Sequence, residues 1–190
     1  MAQFNSFYDI LDFSLLQKFC MEHGKEKVYA KGECFVREGE ICRNFGFVMS
    51  GYFKYCSLRS NGEEAIGGFA FKNEAIVDLY NSFIFGKPSI VSISAGCQSV
   101  VTEVTIPEMK QFIDTHYPTF LNDTTSALFS ELYMRYFNIL KKTPTERYAE
   151  LLDKHPQLFN IVPLREIASY LQITPVYLSR IRKRIQDKEQ

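Results

Sequence analysis

The stretch Pro163–Ile185, PLREIASYLQITPVYLSRIRKRI, decides how this chain is read. Leu164, Ile167, Ala168 and Leu171 recur at helical spacing and give one short helix a single apolar face. Gln172-Ile173 breaks the period and Thr174-Pro175 restarts it. A Thr hydroxyl accepts from the first free amides of a helix, and Pro fits the first helical position, where no donor is needed. The second helix puts Leu178, Ile181 and Ile185 inside and turns Val176, Ser179, Arg180 and Lys183 outward. The spacing predicts two short helices locked at an angle, the second with a basic outer face.

The 190 residues leave ample length for a real core. With 46% hydrophobic and 23% charged residues, the composition is that of a soluble globular protein. The longest apolar runs fall far below the roughly 20 residues of a membrane span, and MAQFNSFYDI lacks the basic flank and apolar core of a signal peptide, so a cytoplasmic location with no membrane partner is expected. Net charge is zero but unevenly spread. Residues 1–140 hold 12 Lys and Arg against 16 Asp and Glu; residues 141–190 hold 10 against 6. A basic C-terminal end on an acidic body suits a polyanion bound through that end alone. The five Cys (20, 34, 42, 56 and 97) form no CxxC pair, and the three His (23, 116 and 155) form no HxH or HxxxH pair, so reduced thiols and no metal are expected.

Along the chain, Ser14-Leu-Leu-Gln17 reads as a capping box opening a short helix that ends at Gly24. Eight short runs rich in Val, Ile, Phe and Tyr then alternate with turns: Val28-Tyr29, Cys34–Val36, Phe45–Met49, Tyr52–Leu58, Ala65–Phe71, Ile76-Val77, Ile90–Ala95 and Ser99–Thr105. Asn61-Gly62 between two such runs is a strong hairpin signal, since both residues tolerate positive φ. Eight strands in about 80 residues predict a small β-sandwich or jelly roll. Pro107 opens a helix to Ile113, and a longer one follows Pro118 to about Lys141. In it Leu121, Thr125, Leu128, Leu132 and Ile139 follow a near-heptad spacing, while Phe129, Tyr133, Tyr136 and Leu140 make other sides apolar too. One side is expected to cover the barrel and the other to meet the same helix of a second copy. Thr143-Pro144-Thr145-Glu146 is a capping box that starts a new helix after a hinge at Lys142-Thr143.

The two C-terminal helices resemble a DNA-binding helix-turn-helix: Ala168 permits a close crossing, Ile173 plugs the turn, and Leu178 and Ile181 anchor the recognition helix. Gln172 stands where the motif usually has Gly. Tyr29-x-Lys31-Gly32-Glu33, Arg37-Glu38-Gly39-Glu40 and Phe47–Lys54 are similar to the opening strands of the cyclic-nucleotide-binding fold. Taken in order, these segments resemble the Crp/Fnr family of transcriptional regulators. The resemblance implies an α+β chain in three parts: a jelly-roll sensor over residues 1–117, a dimerisation helix over 118–142, and a helix-turn-helix domain over 143–190. The five residues after Ile185 are too few for the β-hairpin wing of relatives, so a shallower salt dependence is expected.

The resemblance further implies a non-enzyme acting as a homodimer on double-stranded DNA and RNA polymerase. Thr174, Pro175, Val176, Ser179, Arg180, Arg182, Lys183 and Arg184 are the expected DNA-facing residues, with Arg180 reading a guanine and Lys188 adding a phosphate contact. The family's effector site maps to Asp78, Tyr80, Gly86, Lys87, Ser89 and Thr124. The usual Gly-Glu pair is missing there, and Ser89 replaces the phosphate-pairing Arg, so cyclic AMP is not the expected ligand. Two readings stay open: a pocket for another small-molecule effector, or a barrel filled by Tyr80, Phe83 and Phe85. No cofactor is implied. The competing function is a ligand sensor whose helix-turn-helix docks a protein; a cupin-like metalloenzyme lacks the His cluster it needs.

Overall fold

Eight short strands pair into two antiparallel four-stranded sheets that face each other as a jelly roll. β1 (Lys25–Tyr29), β8 (Ser99–Thr105), β3 (Asn44–Ser50) and β6 (Ala75–Ile76) form one sheet in that order. β2 (Cys34–Val36), β7 (Ser92–Ala95), β4 (Phe53–Leu58) and β5 (Glu64–Ala70) form the other. Each strand coincides with one of the expected apolar runs. The computed structural model describes residues 4–186; Lys188 and the tail from Asp187 on, including the expected absence of a wing, lie outside the described residues.

Phe45, Gly46, Phe47 and Val48 are buried in succession along β3. Both faces of that strand are covered, because helices α1 (Ser14–His23) and α2 (Ile106–His116) pack on it from outside the barrel. One local expectation needs correction. The Ser14–Gln17 capping box does not form: α1 already begins at Ser14, so Asp12 takes the capping role, its Oδ1 accepting from the Ser14 amide at 2.8 Å. The β4–β5 hairpin has positive φ at Gly62 alone. The Gly62 amide donates to the Arg59 carbonyl at 2.9 Å and the Arg59 amide to the Glu63 carbonyl at 2.8 Å, which closes the expected hairpin with a three-residue loop. Conversely, Thr105 and Glu108 build a capping box on α2 that the reading from Pro107 overlooked.

Helix α3 (Phe120–Lys141) runs for 22 residues, and its first turn plugs Phe120 into the barrel core. After an extended Lys142, the Thr143–Glu146 capping box starts α4 (Pro144–Lys154) as expected. α5 (Leu158–Ile161), α6 (Leu164–Tyr170) and α7 (Pro175–Gln186) complete the chain. Two apolar clusters hold this arrangement. The first fills the barrel and includes α1, α2 and Phe120. The second joins Tyr52, Cys56, Ile66 and Phe69 of the barrel to Tyr148, Leu151, Leu158, Ile167, Ala168, Leu178 and Ile181 of the C-terminal helices. The helical module thus shares a core with the barrel across the boundary expected at residue 143.

Candidate nucleic-acid interface and effector cavity

α6 ends in a Schellman turn: the Ile173 amide donates to the Ala168 carbonyl and the Gln172 amide to that of Ser169, both at 3.0 Å. This requires a left-handed residue at position 172, and Gln172 supplies it at φ 57. Its side chain offsets part of the strain, with Nε2 donating to the Ser169 carbonyl at 3.1 Å. Ile173 packs into the second cluster as expected. On α7, Leu178 and Ile181 are fully buried, while Pro175, Val176, Ser179, Arg180, Lys183 and Arg184 are exposed and Arg182 is half-buried. Two polar residues of the expected DNA face have local work. Thr174 Oγ1 accepts from the Tyr177 amide at 3.2 Å, and Ser179 Oγ donates to the Pro175 carbonyl at 3.1 Å. None of Arg180, Arg182, Lys183 and Arg184 joins a salt bridge among the described residues.

The back of the helix-turn-helix is anchored by polar groups that sequence reasoning missed. Glu166 of α6 is buried; Tyr52 donates to its Oε2 at 2.9 Å and Lys54 Nζ lies 3.4 Å from its Oε1. Burial alone would push the Lys54 ammonium down, but Glu64, at 2.5 Å, and Glu166 together hold it above the ordinary lysine value. Ser169 Oγ accepts from the Ile66 amide and donates to the Glu64 carbonyl. The expected hinge is clamped as well: Arg147 donates to the carbonyls of Lys142 at 2.8 Å and Leu171 at 3.0 Å. Apart from Arg147 and Lys142, the bonds from the helices to the barrel and to Leu171 join residues far apart in the chain, so no local pattern announces them.

Of the residues expected for dimerisation, Leu132 and Ile139 are exposed. Leu121, Thr125 and Leu128 are half-buried against their own chain. Phe129, Tyr133, Met134, Tyr136 and Leu140 extend the exposed apolar surface of α3.

The expected effector residues separate. Asp78, Tyr80 and Thr124 line a cavity of about 340 Å³ between β5, β6, α3 and the segment Phe4–Phe13; Gly86, Lys87 and Ser89 do not. Asp78 caps the π-helical turn Leu79–Ile84, its Oδ2 accepting from the Ser82 amide at 3.0 Å and hydroxyl at 2.9 Å. A phosphate at that turn would meet a carboxylate. Ser89 is buried in its loop and donates to the Val91 carbonyl at 2.7 Å, while Lys87 extends over the Phe85 ring, 5.7 Å from its centroid. Phe83 fills the core, but Tyr80 and Phe85 are exposed, so aromatic filling is partial and the cavity stays open.

The segment Phe4–Asp9 straps over this cavity. Ser6 Oγ donates to Glu131 at 2.8 Å, Asn5 Nδ2 donates to Glu74 at 2.7 Å, and the Ala75 amide donates to the Tyr8 hydroxyl. Burial pushes the Glu74 carboxyl up to about 7, against the lowering effect of its bonds from Phe71 and Asn5. At the rim, Arg135 of α3 donates to the carbonyl of Gly67 and, at 3.2 Å, to that of Tyr170, and its guanidinium lies 3.9 Å from the centre of the Tyr170 ring. Gly67 is the extra residue of a β-bulge between β4 and β5, which leaves it without a cross-strand partner.

Residues 26–116 match the cyclic nucleotide-binding domain family. Among solved structures, FixK2 from Bradyrhizobium japonicum superposes with a TM-score of 0.72 at 19% identity, covering 87% of this chain and 86% of that one. The c-di-GMP-responsive global regulator CLP of Xanthomonas campestris gives 0.71 at 17% identity, covering 94% and 93%. The catabolite activator protein of Thermus thermophilus gives 0.53 at 13% identity, covering 96% and 87%. At these identities the likeness is one of fold. No curated protein matches the chain in sequence.

Proposed function

The chain is Crp/Fnr-like, with a cyclic nucleotide-binding-type barrel followed by a helix-turn-helix, and from that premise we propose that it is a dimeric, sequence-specific DNA-binding transcriptional regulator. The observation that carries this is α7. Its inner face is fully buried through Leu178 and Ile181, and its outer face offers Val176 and Arg180, both exposed and without a side-chain partner among the described residues. Arg180 reads a guanine edge, and Arg182, Lys183 and Arg184 contact phosphates. The exposed apolar side of α3 pairs with its equivalent in a second copy, because paired half-sites are read by two-fold dimers. The division into a sensor (1–117), a dimer helix (118–142) and a DNA unit (143–190) belongs to the same reading.

We read the barrel as the effector domain and do not assign it cyclic AMP: the Asp78 carboxylate caps the turn where a phosphate would bind, and the Arg135 guanidinium on the cavity wall is committed to the Gly67 and Tyr170 carbonyls. The decisive experiment is a gel shift on the promoter of the chain's own transcription unit, with a salt titration. A sequence-specific complex that Arg180→Ala weakens by roughly 1–3 kcal/mol is expected. Equal binding by both proteins would remove Arg180 from base readout. Absence of any specific complex would favour a helix-turn-helix that docks a protein.

A further inference from the structure

The first turn of α7 is apolar where a polar reader of base edges is the rule. The recognition helix of a helix-turn-helix presents its N-terminal residues to the bases of the major groove. Here those residues are Pro175, Val176 and Tyr177; Pro175 is exposed, Val176 is 64% exposed and Tyr177 38%. Neither Val176 nor Tyr177 belongs to the two apolar clusters of the fold. The polar side chains around this turn are engaged within the chain. Thr174 Oγ1 caps the helix through the Tyr177 amide, and Ser179 Oγ gives its proton to the Pro175 carbonyl. Gln172 Nε2 donates to the Ser169 carbonyl at 3.1 Å, and its Oε1 accepts from Arg59 at 3.4 Å. The first charged side chain of the helix is Arg180, one turn beyond Val176 on the same face. Arg182, Lys183 and Arg184 follow it with no acidic residue among them, so the surface around the apolar tip suits a polyanion.

We propose that Val176 reads thymine through its C5-methyl group, so that each half-site is specified by an apolar contact at one base pair and by the Arg180–guanine contact at another. The proposal rests on the reading of the chain as a DNA-binding regulator and names the base chemistry of that same site. Thymine is the base that shows a methyl group in the major groove. A side chain without donors or acceptors gains by covering that methyl. Opposite cytosine or adenine it would strip water from a polar edge and return no hydrogen bond. Four helical residues rise about 6 Å, so the thymine lies within about two base-pair steps of the guanine held by Arg180. Tyr177, the next residue, widens the apolar tip.

The test uses the full chain and a duplex selected from a random pool by its own binding. The selected sequence is synthesised with deoxyuridine replacing one thymine at a time; uracil keeps every hydrogen-bonding group of thymine and lacks only the methyl. Gel-shift titration is expected to show one position per half-site, within about two steps of the guanine, at which the replacement weakens binding about fourfold, the worth of one buried methyl group. Val176→Ser alters an exposed side chain. It should bind the thymine duplex as weakly as the parent binds the uracil one and should not distinguish the two. Arg180→Ala should weaken both duplexes and keep the preference for thymine. Equal binding of both duplexes by the parent would overturn the proposal. So would a Val176→Ser variant that keeps the full preference, since the methyl effect would then belong to another residue or to the DNA itself. Specific binding indifferent to every methyl sinks the thymine contact alone. Selection of no preferred sequence sinks the regulator reading with it and favours a protein as the partner of this face.

Discussion

Tyr52 of the barrel donates its hydroxyl to Glu166 of α6 at 2.9 Å, across a boundary that spans 114 residues of sequence. The tyrosine reaches that carboxylate because Gly96 leaves its ring room: a Cβ at position 96 would lie 2.0 Å from Tyr52 Cε2. Lys54 completes the contact from the next residue but one, so the helix-turn-helix is held to the barrel by a buried charge as well as by apolar packing. Removing one partner of such a pair strands the other, whereas replacing both with apolar groups of similar volume is close to neutral. Glu166→Ala should therefore lower stability by about 3 kcal/mol in urea denaturation, and the double variant Lys54→Met/Glu166→Leu should recover part of it, the Tyr52 hydroxyl being left without its acceptor. Additive losses in that double-mutant cycle would show that the two residues are not coupled.

The left-handed Gln172 gives a prediction of opposite sign. A non-glycine residue at φ 57 carries strain that glycine does not. Gln172→Gly should gain about 0.5 kcal/mol, since the side-chain bond to Ser169 is lost at the same time. Gln172→Val should lose roughly 1–2 kcal/mol, because a β-branched residue resists positive φ. A valine variant as stable as the parent would show that the turn rearranges.

Glu74 links stability to pH. Its carboxyl titrates at about 7 in the folded chain against an ordinary 4.5, so between those values the folded state holds a proton that the unfolded state has released. Its contribution is complete below pH 4.5 and is lost as pH rises through 7. Glu74→Gln keeps an acceptor for the Phe71 amide and Asn5 and removes the ionisation. The variant should gain on the order of 3 kcal/mol over the parent at high pH and nothing in acid, measured by thermal melts across pH. A constant difference at all pH values would place the proton elsewhere.

On the proposed reading, the exposed apolar side of α3 is the dimer interface. Leu132 and Tyr136 are 52% and 60% exposed, so charge there burdens only an assembled dimer. Leu132→Glu with Tyr136→Glu should give a folded monomer by sedimentation and weaken operator binding about tenfold or more. A variant that stays dimeric would move the interface away from this face.

The eight strands, the long helix, the Thr143 cap and the helix-turn-helix were legible in the sequence because each is written in a short window: alternation, heptad spacing, a cap three residues from its partner. The same locality explains what was misread at Ser14 and left open at Asn61. Ser14 and Gln17 have the spacing of a capping box, but the helix starts one residue too early for Ser14 to serve as its cap. Asn61-Gly62 has hairpin composition, but the pairing of Arg59 with Glu63 decides the loop length.

The sequence by itself determined the eight strands and the helices α1 to α4, α6 and α7, which face of α7 turns outward, and that Ser89 cannot hold a phosphate as Arg would; the turns Ser6–Asp9 and Leu79–Ile84 and the short α5 were not legible in it. Tertiary structure alone decided what those segments meet. Asp78 is a cap because Ser82 folds under it, Thr124 is an unpaired hydroxyl because strap, barrel and α3 enclose it, and Glu166 is a latch because Tyr52 and Lys54 reach it. The physical reason is range. Periodicity and caps act over one helical turn or one strand pair, whereas burial and charge pairing depend on which distant surfaces come into contact.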